Sequence, residues 1–191
     1  SLLVDSLSFD PEEHAKQSMV NDSLLEVMEA LSTEIPIHPD LLPGIPEAQH
    51  RRINQMVDYF TTGKGRKYYK IWLERYPKVA PVIRNILREE GVPEDLVFLS
   101  MIESGFRIKA RSHAKAVGPW QFIASSGRIF GLRTDYWVDE RVNLEKSTRA
   151  AAKYLRRLYE RYDDWFLAFS AYNWGASRVD RGLRKLPKGK K

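Results

Sequence analysis

Apolar residues recur along most of this chain at the three- and four-residue spacing of α-helices. Glycine and proline interrupt that pattern and set the expected ends of the helices. The predicted helices are one around Ile53–Phe60 that ends at Gly63 and Gly65, one around Tyr68–Trp72 that stops before Pro77, one over Val79–Glu90, one from about Glu145 to Tyr162, and one capped by Asp163 that reaches past Phe169. No alternating apolar run is long enough for a convincing strand, so the fold is predicted to be mainly α.

The N-terminal part of the chain has a different pattern. Asn21-Asp22-Ser23 precedes apolar residues with helical spacing, which predicts a capped amphipathic helix. Prolines follow at positions 36, 39, 43 and 46, and prolines so close together forbid a regular helix. We therefore expect an N-terminal extension, residues 1–46, made of a helix and a Pro-rich connector wrapped over the body, and a helical domain over residues 47–191.

Composition and charge narrow the classes of function. Hydrophobic residues make up 43% of the 191 residues, as in an ordered globular protein, and no apolar run approaches the roughly 18 residues of a membrane span. The net charge of +6 favours anionic partners, including nucleic acid, anionic lipid and peptide-bearing cell-wall glycan. No basic recognition helix or aromatic RNA platform is evident, so we expect no nucleic-acid partner. The four His show no ligand spacing, and we expect neither metal nor cofactor.

One carboxylate lies on the apolar face of a predicted helix. Residues 93–105 begin with proline and two acidic residues and end with glycine, which are start and stop signals of a helix. One face of this helix carries Leu96, Leu99, Ser100 and Glu103. A carboxyl group partly withdrawn from water should have a raised pKa and could donate a proton to a leaving oxygen. Alternatively, Glu103 points to solvent at a frayed helix end, or pairs with Arg107 or Lys109.

A series of short motifs begins at the same glutamate. The residues concerned are Glu103-Ser104-Gly105-Phe106, Ser112, Ala116, Gly118, Trp120-Gln121-Phe122, Ala171-Tyr172-Asn173 and Gly175. Their order and spacing resemble those of the soluble-type lytic transglycosylases, relatives of goose-type lysozyme. The branch of membrane-bound lytic murein transglycosylase D is the closer match, on Trp72-Leu73-Glu74-Arg75-Tyr76, Ile83–Pro93, Asp139-Glu140-Arg141, Ser147–Leu155 and Asp164-Trp165. The resemblance covers roughly residues 47–185.

The resemblance implies a lysozyme-like, mainly α domain with a groove for peptidoglycan strands, located in the periplasm or cell envelope. Glu103 would protonate the glycosidic oxygen after N-acetylmuramic acid and then, as a base, help the 6-hydroxyl of that sugar close onto C1. The product would be a 1,6-anhydro sugar, formed without a second carboxylate or water, unlike the products of most glycosidases. Substrate-binding roles are implied for Ser104, Ser112, Gln121, Tyr172 and Asn173. We expect a monomer.

The chain departs from the family pattern at several positions near these motifs. Lys115 replaces a usual Gly, Pro119 replaces a common Leu, and Trp174 fills a position that is often small. These changes should alter the shape and charge of the groove, and they motivate the hypothesis that the glycan is modified, specifically N-deacetylated. The usual C-terminal Tyr-Val-Pro-like motif, whose Tyr supports the catalytic Glu, is also not found. Either the domain continues past residue 191, or Glu103 is supported from elsewhere.

Two alternative functions remain open at this point. A lysozyme-type hydrolase would use the same Glu but would need an acidic group to hold the attacking water, for which Asp135, Asp139 and Asp163 are candidates by composition only. A glycan-binding wall protein without activity is the second alternative, although the intact Glu103, Gln121 and Tyr172-Asn173 pair argue against it.

Overall fold

The structure is a computed structural model and describes residues 55–185. The α-helices are α1 (Arg66–Glu89), α2 (Val97–Ser104), α3 (Ala124–Ile129), α4 (Leu144–Tyr162), α5 (Trp165–Trp174) and α6 (Ala176–Arg184). Residues 55–61 are also helical, and short 3-10 turns cover Glu94–Leu96 and Glu140–Val142. Within residues 55–185, β-structure is limited to isolated bridges, so the mainly α prediction is confirmed. The predicted N-terminal helix and Pro-rich connector lie outside the described residues, and the boundary at residue 46 stays a prediction.

Helix α1 runs without a break through two prolines, so the prediction of two helices separated at Pro77 was wrong. Pro77 and Pro81 are four residues apart and both are exposed. The buried side chains of the helix are Tyr68, Ile71, Trp72, Leu73, Val79, Ala80, Ile83, Ile86 and Leu87. An interior proline costs a helix about 3 kcal/mol, whereas each large apolar side chain contributes about 1.5–3 kcal/mol when fully buried. The continuous apolar face therefore outweighs the local preference of the prolines.

Helix α4 forms the centre of the domain and packs against both α1 and α5. Its inward face includes Ala150, Ala151 and Ala152, which are all at most 3% exposed. Their small side chains allow the neighbouring helices to approach closely. Trp120 and Phe106, from the segments between helices, fill the remaining core. Within residues 55–185, no helix combines the length and apolar character needed to cross a membrane.

Two helix starts differ from the prediction in detail. Asp164, rather than Asp163, caps α5, because its carboxylate accepts a hydrogen bond from the Leu167 amide at 2.8 Å. Asp163 ends α4 in a left-handed conformation with φ of 48°. Pro93 precedes the 3-10 turn Glu94–Leu96, so α2 itself begins only at Val97. The predicted long helix from about Glu145 to Tyr162 is confirmed as α4.

Candidate active site

Glu103 lies in the last turn of α2, with its side chain partly buried. On the same face, Leu96 and Ser100 are at most 2% exposed, as the predicted apolar face requires. Burial raises the pKa of the Glu103 carboxyl to about 7. An ion pair with Arg107 or Lys109 would lower this pKa. Because the pKa is raised instead, burial has the dominant effect on the ionisation of the carboxyl. Near neutral pH the group is therefore divided between its acid and base forms.

The end of α2 is held against α1 at Gly105. This glycine has φ of 58° and closes the helix through a 2.7 Å hydrogen bond from its amide to the Met101 carbonyl. The Arg75 guanidinium of α1 donates to the Gly105 carbonyl at 2.9 Å. A Cβ atom at position 105 would collide with the indole of Trp72. Glycine thus allows the close contact that sets the position of Glu103 relative to α1.

A segment that we call the site loop, residues 110–122, contacts α2 beside the glutamate. The hydroxyl groups of Ser100 and Ser104 each lie 3.0 Å from the Pro119 carbonyl oxygen, to which both can donate. Ser104 also lies 3.0 Å from the Ser100 carbonyl. The hydrogen bonds of Ser104 therefore join α2 to the site loop and do not involve Glu103.

Tyr172 of α5 contacts the same loop from the other side. Its hydroxyl donates to the Trp120 carbonyl at 2.8 Å. Burial raises the Tyr172 pKa well above its usual range, and the charges of Glu103 and Tyr154 raise it further. Tyr172 and Ser104, which follows Glu103 in the chain, thus contact successive carbonyls of the loop, those of Trp120 and Pro119. With its raised pKa, Tyr172 stays protonated near neutral pH.

Arg141 holds the site loop in place, a role that the sequence motifs did not reveal. Its side chain is buried and donates to the Phe122 and Lys115 carbonyls at 3.0 and 3.1 Å. Its Nε and Nη2 donate to the two carboxylate oxygens of Asp139, each at 2.8 Å. The Asp139 pKa is lowered, chiefly by this hydrogen bonding to Arg141. The only sequence signal was Asp139-Glu140-Arg141 as a matching motif, because a buried ion pair cannot be told from a surface one without the fold.

Gly118 allows the backbone of the site loop to pass close to the backbone of Arg141. It has φ of 88°, and a Cβ atom at this position would collide with the carbonyl of Arg141. Its amide also donates to the Ala110 carbonyl at 2.9 Å. The glycine of the motif is thus explained by packing within the loop.

Ser112 and Gln121 lie in the site loop and stabilise its turns. The Ser112 hydroxyl accepts from the Ala116 amide at 3.1 Å, and the Gln121 amide group donates to the Gly118 carbonyl at 2.8 Å. Asn173 lies exposed near the end of α5 and donates to the Phe169 carbonyl at 3.1 Å within its own helix. The structure thus brings Glu103 and Tyr172 together around the loop and shows no hydrogen bond from Asn173 to them.

The positions that depart from the family pattern differ in exposure. Pro119 is fully buried, so its ring does not contact a glycan directly, and its effect on the shape of the groove stays a prediction. Its carbonyl instead accepts the serine hydrogen bonds. Lys115 is exposed with φ of 61°, and Trp174 is 51% exposed. Only these two can present side chains to a ligand.

The acids proposed for a hydrolase are bound elsewhere or exposed. Asp139 pairs with Arg141, as described above. Asp135 accepts from Arg133 and from two backbone amides of its own turn. Asp163 is exposed at the end of α4. Across residues 55–185, no group of His, Asp and Glu side chains could hold a metal ion.

Comparison with known proteins agrees with this mainly α fold. The family model of the transglycosylase SLT domain matches residues 81–191, more than half of the chain. The chain therefore belongs to the SLT transglycosylase domain family, and the resemblance seen in its motifs is confirmed.

The relatives found include two named transglycosylases. Membrane-bound lytic murein transglycosylase D of Escherichia coli (strain K12) is 33% identical over 149 residues, which cover 78% of this chain and 32% of that protein. Peptidoglycan transglycosylase gp16 of Escherichia phage T7 is 33% identical over 115 residues, which cover 56% of this chain and 9% of that protein. The chain thus corresponds to a third or less of the length of these relatives.

Proposed function

We propose that this domain is a lytic transglycosylase that cleaves the β-1,4 bond between N-acetylmuramic acid and N-acetylglucosamine in peptidoglycan. The observation that carries the proposal is the burial of Glu103, whose pKa of about 7 makes it both a proton donor and a proton acceptor near neutral pH. The names of the SLT relatives support the same reaction and substrate. An acid–base role needs a pKa near the working pH, because the group must first give a proton and then take one back.

Glu103 would perform two successive proton transfers. As the acid it donates its proton to the glycosidic oxygen while the bond from C1 of N-acetylmuramic acid to that oxygen breaks. As the resulting carboxylate it removes the proton of the 6-hydroxyl while O6 bonds to C1. The enzyme returns to its starting state, and the products are a 1,6-anhydromuramic end and a free 4-hydroxyl on the leaving sugar.

Tyr172 would assist as a neutral neighbour rather than as a second acid or base. The Tyr172 hydroxyl already donates a hydrogen bond to the Trp120 carbonyl, and its pKa is raised. Tyr172 would therefore keep its proton throughout the reaction cycle. Its partly buried ring, packed against the core, would help to keep water away from Glu103 and so would favour the protonated form of the carboxyl.

The environment of the glutamate favours transglycosylation over hydrolysis. Burial accounts for the raised Glu103 pKa without a contribution from a second carboxylate. The Asp139 and Asp135 carboxylates accept hydrogen bonds from Arg141 and Arg133, respectively, which lowers the pKa of both and makes each a weaker base for an attacking water. We therefore keep the lysozyme-type reaction as the second candidate and distinguish it by its products.

The glycan would lie along the surface next to Glu103, with Ser112, Gln121 and Asn173 as its contacts. Asn173 is exposed, and Gln121 is partly buried in the site loop. The exposed Lys115 and Trp174, together with Pro119 in the site loop, are the basis for a proposed preference for N-deacetylated glycan. The names of the relatives further support a location in the cell envelope or periplasm and peptidoglycan strands as the partner.

The test is digestion of purified peptidoglycan, native and chemically N-deacetylated, followed by mass spectrometry of the soluble products. The protein is compared with Glu103→Gln and with Glu145→Gln, a matched change of an exposed Glu in the first turn of α4. We expect products lighter by two hydrogens and one oxygen than hydrolytic fragments, absent only with Glu103→Gln. Full-mass reducing ends would identify a hydrolase, and equal or better turnover of fully acetylated glycan would exclude the deacetylation hypothesis.

A further inference from the structure

Two neighbouring aromatic side chains stand almost fully in solvent between α3 and α4. Tyr136 is 90% exposed and Trp137 is 83% exposed. Their ring centroids are 4.8 Å apart with an interplanar angle of 87°. Among residues 55–185, the next most exposed large apolar residue is Ile129, at 70%. Large aromatic rings are usually at least half covered in a folded protein, so an exposed pair is a candidate binding surface.

The turn that carries the pair has a defined conformation. The Asp135 carboxylate accepts from the amides of Trp137 and Val138, each at 2.8 Å, and from the Arg133 guanidinium. The Asp135 amide donates to the Val138 carbonyl at 2.9 Å, and an antiparallel bridge joins Thr134 to Asp139. The rings are therefore presented by a closed turn, which lowers the entropic cost of binding a ligand.

This turn is directly continuous with the structure that positions the site loop. Asp139, which closes the turn, also pairs with Arg141, whose guanidinium donates to the Lys115 and Phe122 carbonyls. The turn that carries the aromatic pair is thus connected through Asp139 and Arg141 to the loop beside Glu103. A polymer bound to the pair would be held by a turn that is anchored to the site loop.

We propose that Tyr136 and Trp137 form a second glycan-binding platform, which holds a peptidoglycan strand outside the catalytic site. The inference rests on the proposed function, because it adds a second contact for the same peptidoglycan substrate. The ring faces of Trp and Tyr are flat and apolar and suit the C–H faces of pyranose sugars, while the Tyr hydroxyl and the indole N–H can bond sugar hydroxyls. The platform increases retention of long strands and takes no part in bond cleavage.

The charges around the turn favour glycan over a lipid surface. The base of the turn carries the ion pairs Arg133–Asp135 and Lys146–Glu140, with both signs represented equally. Binding to an anionic membrane calls for a cluster of basic residues around the aromatic anchors. Insertion of the turn would also desolvate two carboxylates, whereas a sugar on the rings leaves them in water.

The experiment measures binding and cleavage separately. Binding is measured by co-sedimentation with insoluble peptidoglycan in the Glu103→Gln background, so that the substrate stays intact. Tyr136→Ala/Trp137→Ala is compared with Ile129→Ala, a matched loss of an exposed apolar side chain, and with Trp137→Phe, which keeps an aromatic face. We expect the double variant to bind on the order of tenfold more weakly, since it loses both aromatic contacts with the sugars. Ile129→Ala should bind normally, and Trp137→Phe should retain most of the binding.

Cleavage is measured with otherwise unaltered enzyme on two substrates. On polymeric peptidoglycan the double variant should show a higher KM at unchanged kcat, and on a short fragment with a single cleavable bond it should match the parent. Unchanged sedimentation and KM in the double variant would overturn the proposal. Loss of kcat on the short fragment would also overturn it, because it would place the pair in the catalytic site.

Two further measurements distinguish glycan binding from membrane binding, and the platform from the catalytic function. Co-sedimentation with vesicles containing anionic phospholipid should not depend on the pair, and dependence on it would overturn the glycan proposal in favour of a membrane contact. If the parent protein cleaves no peptidoglycan but its sedimentation still depends on the pair, the proposed catalytic function fails while the platform stands. If the parent cleaves normally and the pair has no effect, the platform fails and the catalytic function stands.

Discussion

The burial of Glu103 makes a quantitative prediction about stability, which needs no substrate to test. The Glu103 pKa rises from an ordinary value of 4.5 to about 7 in the folded protein. At about 1.4 kcal/mol per pKa unit, this difference corresponds to a free energy of about 3 kcal/mol. Replacement of Glu103 by Gln removes the ionisation but keeps nearly the same size and a polar group.

The direction of the effect follows from proton binding by the two states. Below pH 4.5 the carboxyl is protonated in both the folded and unfolded chain, and no penalty arises. Between pH 4.5 and about 7 the unfolded chain releases the proton while the folded chain keeps it, so a rise in pH favours unfolding. Above pH 7 the full penalty of about 3 kcal/mol is present in the wild type and absent from Glu103→Gln.

The assay is urea unfolding, followed by circular dichroism at a series of pH values from 4 to 8.5. The free energy of unfolding of Glu103→Gln minus that of the wild type should increase by about 3 kcal/mol over this range. In thermal unfolding the same change corresponds to about 6–12 °C in Tm for a chain of this size. All other ionisable groups are common to the two proteins and cancel in the difference, and Tyr172, whose pKa Glu103 raises, stays protonated over this pH range.

Glu145→Gln serves as the matched control for this measurement. Glu145 is exposed on α4, so its replacement should change stability by no more than about 0.5 kcal/mol at any pH. A difference between Glu103→Gln and wild type that stays constant from pH 4 to 8.5 would refute the reasoning. It would mean that the Glu103 carboxyl is as well solvated in the folded protein as in the unfolded chain.

Three further predictions concern the same site. The kcat/KM for peptidoglycan should fall above pH about 7, approaching tenfold per pH unit, because the acid form of Glu103 is lost; a profile that stays flat to pH 9 would exclude it as the proton donor. Tyr172→Phe should lower the free energy of unfolding by about 1–2 kcal/mol, since it leaves the Trp120 carbonyl without its 2.8 Å hydrogen bond; wild-type urea unfolding would contradict this. Gly118→Ala should destabilise the protein by on the order of 3 kcal/mol or more, since its Cβ would collide with the Arg141 carbonyl at a φ of 88°; an unchanged Tm would show that the site loop can move aside.

Local patterns were enough for the parts of the structure that depend on neighbouring residues. The helical spacing predicted α4 almost to the residue, and Gly105 was correctly read as the end of α2. The position of Glu103 on an apolar face also follows from spacing alone, because residues three, four and seven apart share one side of a helix. The ordered motifs then identified the family, which the match over residues 81–191 confirms.

Where local signals for helix ends and caps conflict, only the folded structure shows which signal prevails. Pro77 would end an isolated helix, yet α1 continues because its apolar face is buried on both sides of the proline. Asp163 and Asp164 are both good caps by composition. Their backbone conformations, left-handed with φ of 48° in Asp163 and extended in Asp164, decide that only Asp164 can cap α5.

The sequence by itself determined the family and the candidate residues for the chemistry, and the tertiary structure decided how these residues are held. The motif residues Glu103 and Tyr172 are visible in the chain, but the raised Glu103 pKa depends on the neighbours that exclude water from the carboxyl. Arg141 meets the Lys115 and Phe122 carbonyls 26 and 19 residues away, and Tyr172 meets the Trp120 carbonyl 52 residues away. Periodicity and capping act over a few residues, whereas burial and hydrogen bonds of this range exist only after the helices have packed.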